Sequence, residues 1–323
     1  MTDTILNIKN LHIHFNVNNG SAKVLNGIDL SVKQGHLLGL VGESGSGKSV
    51  LAMSMLAYVR EPGIIKKGEI FFDKKDILAL TEEELQKKYR GKEIGLIAAN
   101  ARAHLNPLLP VGEQIANVYS AHTKKPKKEG RIKAVEILKS VGINDAERRA
   151  ESYPHELSGG MAQRVMIAIT LVNAPRFIVA DDCTNGLDVT VAAQVMDLLL
   201  LILKERESSG IFITHDLGIV AQCCDEVAIM YSGQIFEQAP VKDFFNKPLH
   251  PYSDVLLDSL PERRKAKPEI DTIGNLPNPL QLPNGCLFHP RCPRAQELCL
   301  REKPKIRVIS PGHTVKCHYP LEN

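Results

Sequence analysis

Residues Gly42-Glu43-Ser44-Gly45-Ser46-Gly47-Lys48-Ser49 fit the spacing G-x-x-x-x-G-K-[ST]. The residue types suit phosphate binding. Glycines let successive backbone N–H groups close around phosphate oxygens, and a following helix N-terminus adds a favourable dipole. Lys48 can reach the β- and γ-phosphates, and the Ser49 hydroxyl can ligate Mg²⁺. Val50 completes the candidate nucleotide-binding run. A second candidate is Arg176-Phe177-Ile178-Val179-Ala180-Asp181, an apolar strand ending in a carboxylate. Ligands of open α/β sheets bind at that edge, so Asp181 is placed to hold Mg²⁺ through water.

A third group is Cys286-x₅-Cys292-x₆-Cys299-x₁₇-Cys317. Zinc modules usually show paired C-x₂₋₄-C spacing, which this run lacks. The wider spacing suits a [4Fe-4S] cluster on four thiolates; zinc and unligated thiols remain alternatives. A structural role is expected, because ten of the 19 prolines fall in residues 261–323. Proline this dense prevents long helices and central strands, so the segment needs a staple. His289, His313 and His318 are nearby possible ligands, although such residues more often face solvent. Cys223 and Cys224, in a helical pattern, read as packing residues.

The elements that must position these residues follow from periodicity. Residues 1–35 alternate apolar and polar, the pattern of half-buried strands. HLLGLV is a short apolar run suited to a buried strand, followed by the Gly-rich turn and a helix over KSVLAMSMLAYV. Further buried strands are expected at Phe177–Ala180 and Gly210–Thr214, preceded by helices at Gly160–Val172 and Val191–Lys204. Strands alternating with helices predict an α/β fold with a parallel sheet. Residues from about 84 to 172 read as a helical subdomain. After Leu260 the linker PERRKAKPE opens a Pro-rich extension, giving domains at 1–262 and 263–323.

Composition narrows the function. The 323 residues carry 40 basic and 37 acidic side chains, a net charge of +3 that does not favour nucleic acid as a partner. No stretch approaches the roughly 18 apolar residues of a membrane span. The N-terminal MTDTILNIKN lacks a basic n-region and an apolar h-region, so no signal peptide is read there. A cytosolic chain is expected, held at any membrane by other chains.

Leu157-Ser158-Gly159-Gly160-Met161-Ala162-Gln163-Arg164 resembles the ABC signature motif L-S-G-G-x-x-Q-R. Together with the phosphate loop, Asp181, Leu187-Asp188 and Thr214-His215-Asp216, it is similar to the ABC ATPases over residues 5–260. The resemblance implies a P-loop ABC ATPase core with an N-terminal antiparallel β subdomain. It assigns Ser158, Gly159, Gly160, Met161 and Gln163 to the γ-phosphate of a partner subunit's nucleotide, and Asp188 to the D-loop. His215 aligns with the switch histidine that contacts the γ-phosphate, and Phe15 with the aromatic that stacks on adenine. The segments RGKEIGLI, LNPLLPVGEQI, YPHELSGGMAQRVMIAITL, HPYSDVLLDSLP and GCLFHPRCPRAQELC resemble the dipeptide, oligopeptide and nickel importer branch. That branch implies a second ATPase subunit, two membrane permeases, an extracytoplasmic binding protein and a site on the cytoplasmic face of the bacterial membrane. The usual cargo is di- or oligopeptides, with nickel, metal–opine or glutathione as alternatives. Members of this branch carry a four-iron cluster in the extension, which points Cys286, Cys292, Cys299 and Cys317 the same way.

Two departures stand out. The family pattern D-E-P-T-T-A-L-D places a catalytic glutamate after the Mg²⁺ aspartate, whereas this chain reads Asp181-Asp182-Cys183-Thr184-Asn185-Gly186-Leu187-Asp188. A general base must come within about 3 Å of its proton, and Asp182 is one methylene shorter. Counting back from Leu105-Asn106-Pro107 puts Ala99 where a glutamine belongs; Asn100 could substitute only by a register shift. A degenerate ATP site is therefore expected. Retained base catalysis by Asp182, or a mainly non-hydrolytic regulatory subunit, are the alternatives.

Overall fold

The computed structural model describes residues 4–260 and 274–321. The linker PERRKAKPE and the expected domain boundary at 262/263 lie outside the described residues. Two compact units divide the chain, Met1–Leu78 with Phe212–Asn323, and Ala79–Ile211.

The first unit begins with the expected alternating strands, β1 (Thr4–Val17) and β2 (Gly20–Lys33). They pair antiparallel with Ile13 opposite Leu25, so the inward residues Leu6, Ile8, Leu11, Ile13 and Leu25 are buried. β3 (Leu37–Val41) leads into α1 (Lys48–Ser54). α1 ends earlier than its apolar sequence predicts. Leu56 and Ala57 donate to carbonyls three residues back, and Ala57 takes a φ of 49°, which closes the last turn. β4 (Gly63–Phe72) pairs with β1, and β5 (Lys75–Asp76) pairs with β4.

The second unit carries most of the expected helices. α2 (Glu82–Glu84) is a single turn closed by a Thr81/Glu84 capping box. Strand β6 (Ile94–Ile97) is followed by α3 (Ala101–His104), α4 (Val111–Thr123), α5 (Lys127–Ser140) and α6 (Ala146–Ala150). α7 (Gly159–Leu171) precedes β7 (Phe177–Asp181), and α8 (Val189–Glu205) leads to β8 (Ser209–Thr214). β6 and β7 are parallel, with Ile97 beside Ala180, as the α/β pattern requires. α7 and α8 both start on side-chain caps. Ser158 Oγ accepts from Met161 N, and Asp188 Oδ1 accepts from Val191 N.

The first unit resumes with α9 (Leu217–Cys223), capped by Asp216, then β9 (Glu226–Tyr231) and β10 (Gln234–Pro240). β9 lies parallel to β3, and β10 runs antiparallel to β9. α10 (Val241–Asn246) and α11 (Pro251–Asp258) follow, then α12 (Glu297–Arg301), β11 (Arg307–Ser310) and β12 (His313–Val315). β12 pairs antiparallel with β10, Glu237 opposite Val315. The extension thus adds strands to the sheet that carries the phosphate loop. Its proline content predicts no central strand, and the two it has are short and lie beyond β10.

The extension is fastened by apolar packing. Phe288 is fully buried with Tyr231, Phe236 and Tyr252; the Tyr231–Phe288 and Tyr252–Phe288 ring centroids are each 5.3 Å apart. Cys286, Leu287 and Cys299 belong to the same buried cluster. Offset and edge-on aromatic contacts of this kind add to the area they bury.

Here the expected metal site is corrected. Among the described residues, no group of three or more His, Cys, Asp or Glu side chains could hold a metal ion. The assignment of a [4Fe-4S] cluster, or of zinc, to Cys286, Cys292, Cys299 and Cys317 therefore does not stand. The four cysteines do line one cavity, but its volume is about 10 Å³, at most a single water. Burial pushes the Cys286 thiol up to about 11 and Cys317 up to about 12. The neighbouring imidazoles are also committed: His289 Nδ1 to Cys286 O, His318 Nε2 to Glu302 O, and His313 Nε2 to Glu237. His313, read as solvent-facing, is buried. The aromatic cluster does the fastening for which the sequence suggested a staple.

Candidate nucleotide site

The phosphate loop lies between β3 and α1, where the sequence predicts it. Gly42 is required by close approach, since a Cβ there would sit 2.1 Å from Met230 O. Gly47 takes a φ of 104° at the start of α1, a left-handed conformation that side chains other than glycine's rarely adopt. Ser46 N donates to Glu43 O, and Gly233 N donates to Ser46 O, which fixes the loop to the turn after β9. Lys48 is buried, and its Nζ donates to Gly42 O at 2.7 Å and Glu43 O at 2.9 Å. The ammonium is thus held inside the loop's own curve. Ser49 is exposed and Val50 half-buried, on the first turn of the helix.

The same unit carries two other expected residues. Phe15, half-buried, pairs across the sheet with Ala22 and Gly63. A Cβ on Gly63 would meet the Phe15 ring at 2.9 Å, so the glycine leaves that ring its place. His215 is exposed at the end of β8, next to Asp216, whose Oδ1 accepts from Gly218 N at 2.7 Å.

Sequence reasoning missed two residues that touch the loop. Glu43 N donates to Tyr252 Oη at 3.1 Å, and Arg291 Nη1 lies 3.0 Å from both Glu43 carboxylate oxygens. Burial raises the Tyr252 phenol well above its ordinary value, so it stays neutral and accepts the bond. The available signal was an acidic residue inside a phosphate loop, which calls for a nearby cation.

In the second unit, Asp181 ends β7 half-buried, and Asp182 follows with a φ of 46°. Aspartate and asparagine tolerate this left-handed region better than most residues. Asn185 N donates to Asp182 O, so the run curls straight into a turn. Cys183, in the place of the family proline, is buried with its Sγ 3.8 Å from Met196 Sδ, and burial pushes its thiol up to about 12.

A cleft of about 420 Å³ is lined by Asn100, Ala101, Arg102, Gly159, Gln163, Asn185, Gly186 and Leu187. It joins the start of the signature helix α7 to the loops after β6 and β7. Asn100 takes a φ of 53° and is exposed on the cleft, whereas Ala99 is half-buried and is not part of its lining. Gln163 is 3% exposed, and its Nε2 has no hydrogen-bond partner. Arg102, which sequence reasoning missed, donates to Leu157 O just ahead of Ser158. Ser158 and Gly159 are exposed, Gly160 and Met161 half-buried; Asp188 is used as the cap of α8.

The family model described as "ABC transporter" matches residues 25–185, and that described as "Oligopeptide/dipeptide transporter, C-terminal region" matches residues 236–299. The dipeptide transport ATP-binding protein DppD of Haemophilus influenzae is 41% identical, over 98% of this chain and 96% of its own. The oligopeptide transport ATP-binding protein AppD of Bacillus subtilis is 42% identical, over 97% and 96%. OppD of Escherichia coli is 41% identical, over 99% and 94%. The chain belongs to the oligopeptide/dipeptide transport ATP-binding proteins. Among solved structures, the dimeric ATP-binding cassette MJ0796 with ADP and Pi matches this ATP-binding protein at a TM-score of 0.66 and 26% identity, over 73% of this chain and 98% of that one. The fold is therefore that of a P-loop ABC ATPase, with a β subdomain, a helical subdomain and a small C-terminal extension. No helix among the described residues of the ATP-binding protein is long and apolar enough to cross a membrane.

Proposed function

We propose that the chain is the ATP-binding, ATP-hydrolysing subunit of an importer of di- or oligopeptides, and that its two halves of ATP chemistry are unequal. Residues Gly42–Val50 bind the triphosphate, with Phe15 beneath the adenine and His215 at the γ-phosphate. Ser49 and Asp181 supply oxygen donors of the hard kind that Mg²⁺ takes alongside phosphate and water. Ser158, Gly159, Gly160, Met161 and Gln163 serve the nucleotide of a second ATPase subunit, and Asp188 holds the start of α8 beside them. The relatives named for dipeptide and oligopeptide transport support the cargo class. They also support two permeases, an extracytoplasmic binding protein and a peripheral place on the cytoplasmic face of the membrane. The nucleotide-binding domain is assigned to residues 1–262 and the extension to 263–323.

The observation that carries the inequality is Asp182, which stands directly after Asp181 where the chemistry calls for the longer glutamate. A carboxylate drawn back by one methylene holds an attacking water poorly. Ala99 adds to this, since a methyl group neither ligates Mg²⁺ nor orients water. Asn100, on the cleft, is the polar group nearest in sequence. The experiment is turnover by the assembled transporter with Lys48→Ala, compared with the equivalent change in the partner. A much smaller loss from Lys48→Ala supports the unequal sites, and equal losses refute them. Asp182→Glu should raise hydrolysis at this chain's loop; no rise would make Asp182 an adequate base as it stands.

A further inference from the structure

We propose that Arg291, in the C-terminal extension, is a positioning residue for ATP binding: it neutralises Glu43 so that the phosphate loop can accept a triphosphate. The inference rests on the reading that Gly42–Ser49 is the ATP loop. Glu43 is the acidic residue among Gly42–Ser49. Left alone, its carboxylate would repel an incoming polyphosphate, and the repulsion grows as the loop closes and water leaves. Arg291 Nη1 bridges both of its oxygens at 3.0 Å and lies 3.3 Å from Tyr231 Oη. The Arg291 side chain is 7% exposed and that of Glu43 32%, so solvent screens the pair from the carboxylate's side only.

Both members of the pair are held in place. Arg291 N donates to Phe288 O, which anchors the residue to the buried aromatic cluster. Its guanidinium carbon stands 5.7 Å from the Tyr231 ring centroid, a distance at which a cation is attracted to the ring. Tyr252, in the same cluster, accepts from Glu43 N and holds the backbone behind the carboxylate. The extension meets the loop at a second point, where Leu276 Cδ1 lies 3.5 Å from the place of a Gly45 Cβ. Pro279 O accepts from Lys23 N, which fastens that stretch to β2. The extension therefore sets both the charge and the backbone position of the loop's first half, and ATP affinity depends on residues about 250 positions downstream of it.

Affinity for ATP with Mg²⁺ is measured on the full chain by titration calorimetry, for the parent, Arg291→Ala, Arg291→Lys, Glu43→Gln and the Arg291→Ala/Glu43→Gln pair. Arg291→Ala is expected to weaken binding about tenfold, and Arg291→Lys, which keeps the charge, by no more than about threefold. Adding Glu43→Gln to Arg291→Ala should bring affinity to within about threefold of Glu43→Gln alone, because the repelling charge has gone. Unchanged affinity in Arg291→Ala overturns the proposal. So does a loss that Glu43→Gln fails to relieve, since that is the result of a loosened extension. If Arg291→Ala loses its near-UV circular dichroism, Arg291→Gln with and without Glu43→Gln decides the matter on the same criterion. Lys48→Ala serves as the reference for the loop itself. If it leaves ATP affinity untouched, the loop is not the ATP site, an outcome distinct from failure of the Arg291 pair.

Discussion

Glu237 of β10 accepts a hydrogen bond from His313 Nε2 of β12 at 2.8 Å, with both side chains almost fully buried. The same carboxylate accepts from Leu249 N and His250 N at 2.9 and 2.8 Å. One buried acid thus ties together the sheet, the entry to α11 and the end of the extension. Leaving a buried hydrogen-bonding group without one of its partners costs about 1–3 kcal/mol. His313→Ala is expected to lower stability by that amount in urea unfolding and to speed cleavage of the extension in limited proteolysis. His313→Gln, which keeps a donor, should lose less.

Gly42→Ala tests the loop's dependence on close packing. The added methyl would meet Met230 O at 2.1 Å and Ser46 Oγ at 3.1 Å. The first of these is backbone and has no rotamer by which to retreat, so the loop itself must move. ATP affinity is expected to fall at least about tenfold, with a stability cost of about 1–3 kcal/mol. Titration calorimetry and thermal unfolding read the two effects separately.

Gly160→Ala addresses the signature helix. A Cβ there would lie 2.5 Å from Val191 Cγ1, near the start of α8. Val191 is β-branched and yields little, so the first turn of α7 is displaced. Turnover by the assembled transporter should fall at least about tenfold, since N–H groups at a helix start act through placement. On the proposed assignment of the nucleotide to Gly42–Val50, ATP binding by the isolated chain should stay within about twofold.

His12 predicts an acid sensitivity. Burial, aided by the cations of Lys67, His14, Lys303 and Lys316, lowers its imidazole to about 4. The unfolded chain then binds the proton first, between pH 6.5 and about 4, so stability is highest above that window and falls as the pH drops through it. The ring is only half-buried, and screening by solvent limits the effect to about 1 kcal/mol. Thermal unfolding between pH 7 and 4.5 should show a shallower slope in His12→Gln than in the parent.

The parts that sequence made legible are those set by local rules. β1 and β2 follow from alternation, the loop at 42–49 from its glycines, and α7 and α8 from periodic apolar residues behind Ser158 and Asp188. What it hid depends on contacts between distant positions. Nothing in Arg307–Ser310 or His313–Val315 announces that β12 will pair with β10, because the deciding partner is Glu237. The cysteine spacing suggests a metal site, whereas Cys286 and Cys299 are buried in the apolar cluster that holds Phe288. Their neighbours in space, Tyr231 and Tyr252, lie outside the extension and carry no mark of it. Arg291 stood beside Cys292 and drew no notice, since the reason for its position is Glu43. Register alone lets Asn100 substitute for the glutamine only by a shift; its place on the cleft lined also by Gln163 is a feature of the fold.

The pairing of β12 onto β10 also bears on the life of an unfinished chain. Until Val315 has been made, Glu237 and Gln238 lack the strand that lies beside them in the folded chain. Unpaired main-chain groups on a strand edge are a template for another polypeptide. A chain that stops before this point is expected to expose that edge and to aggregate. β12 thus serves as a safeguard against clumping, and quality control by chaperones and proteases would fall most heavily on chains in which it is missing or detached.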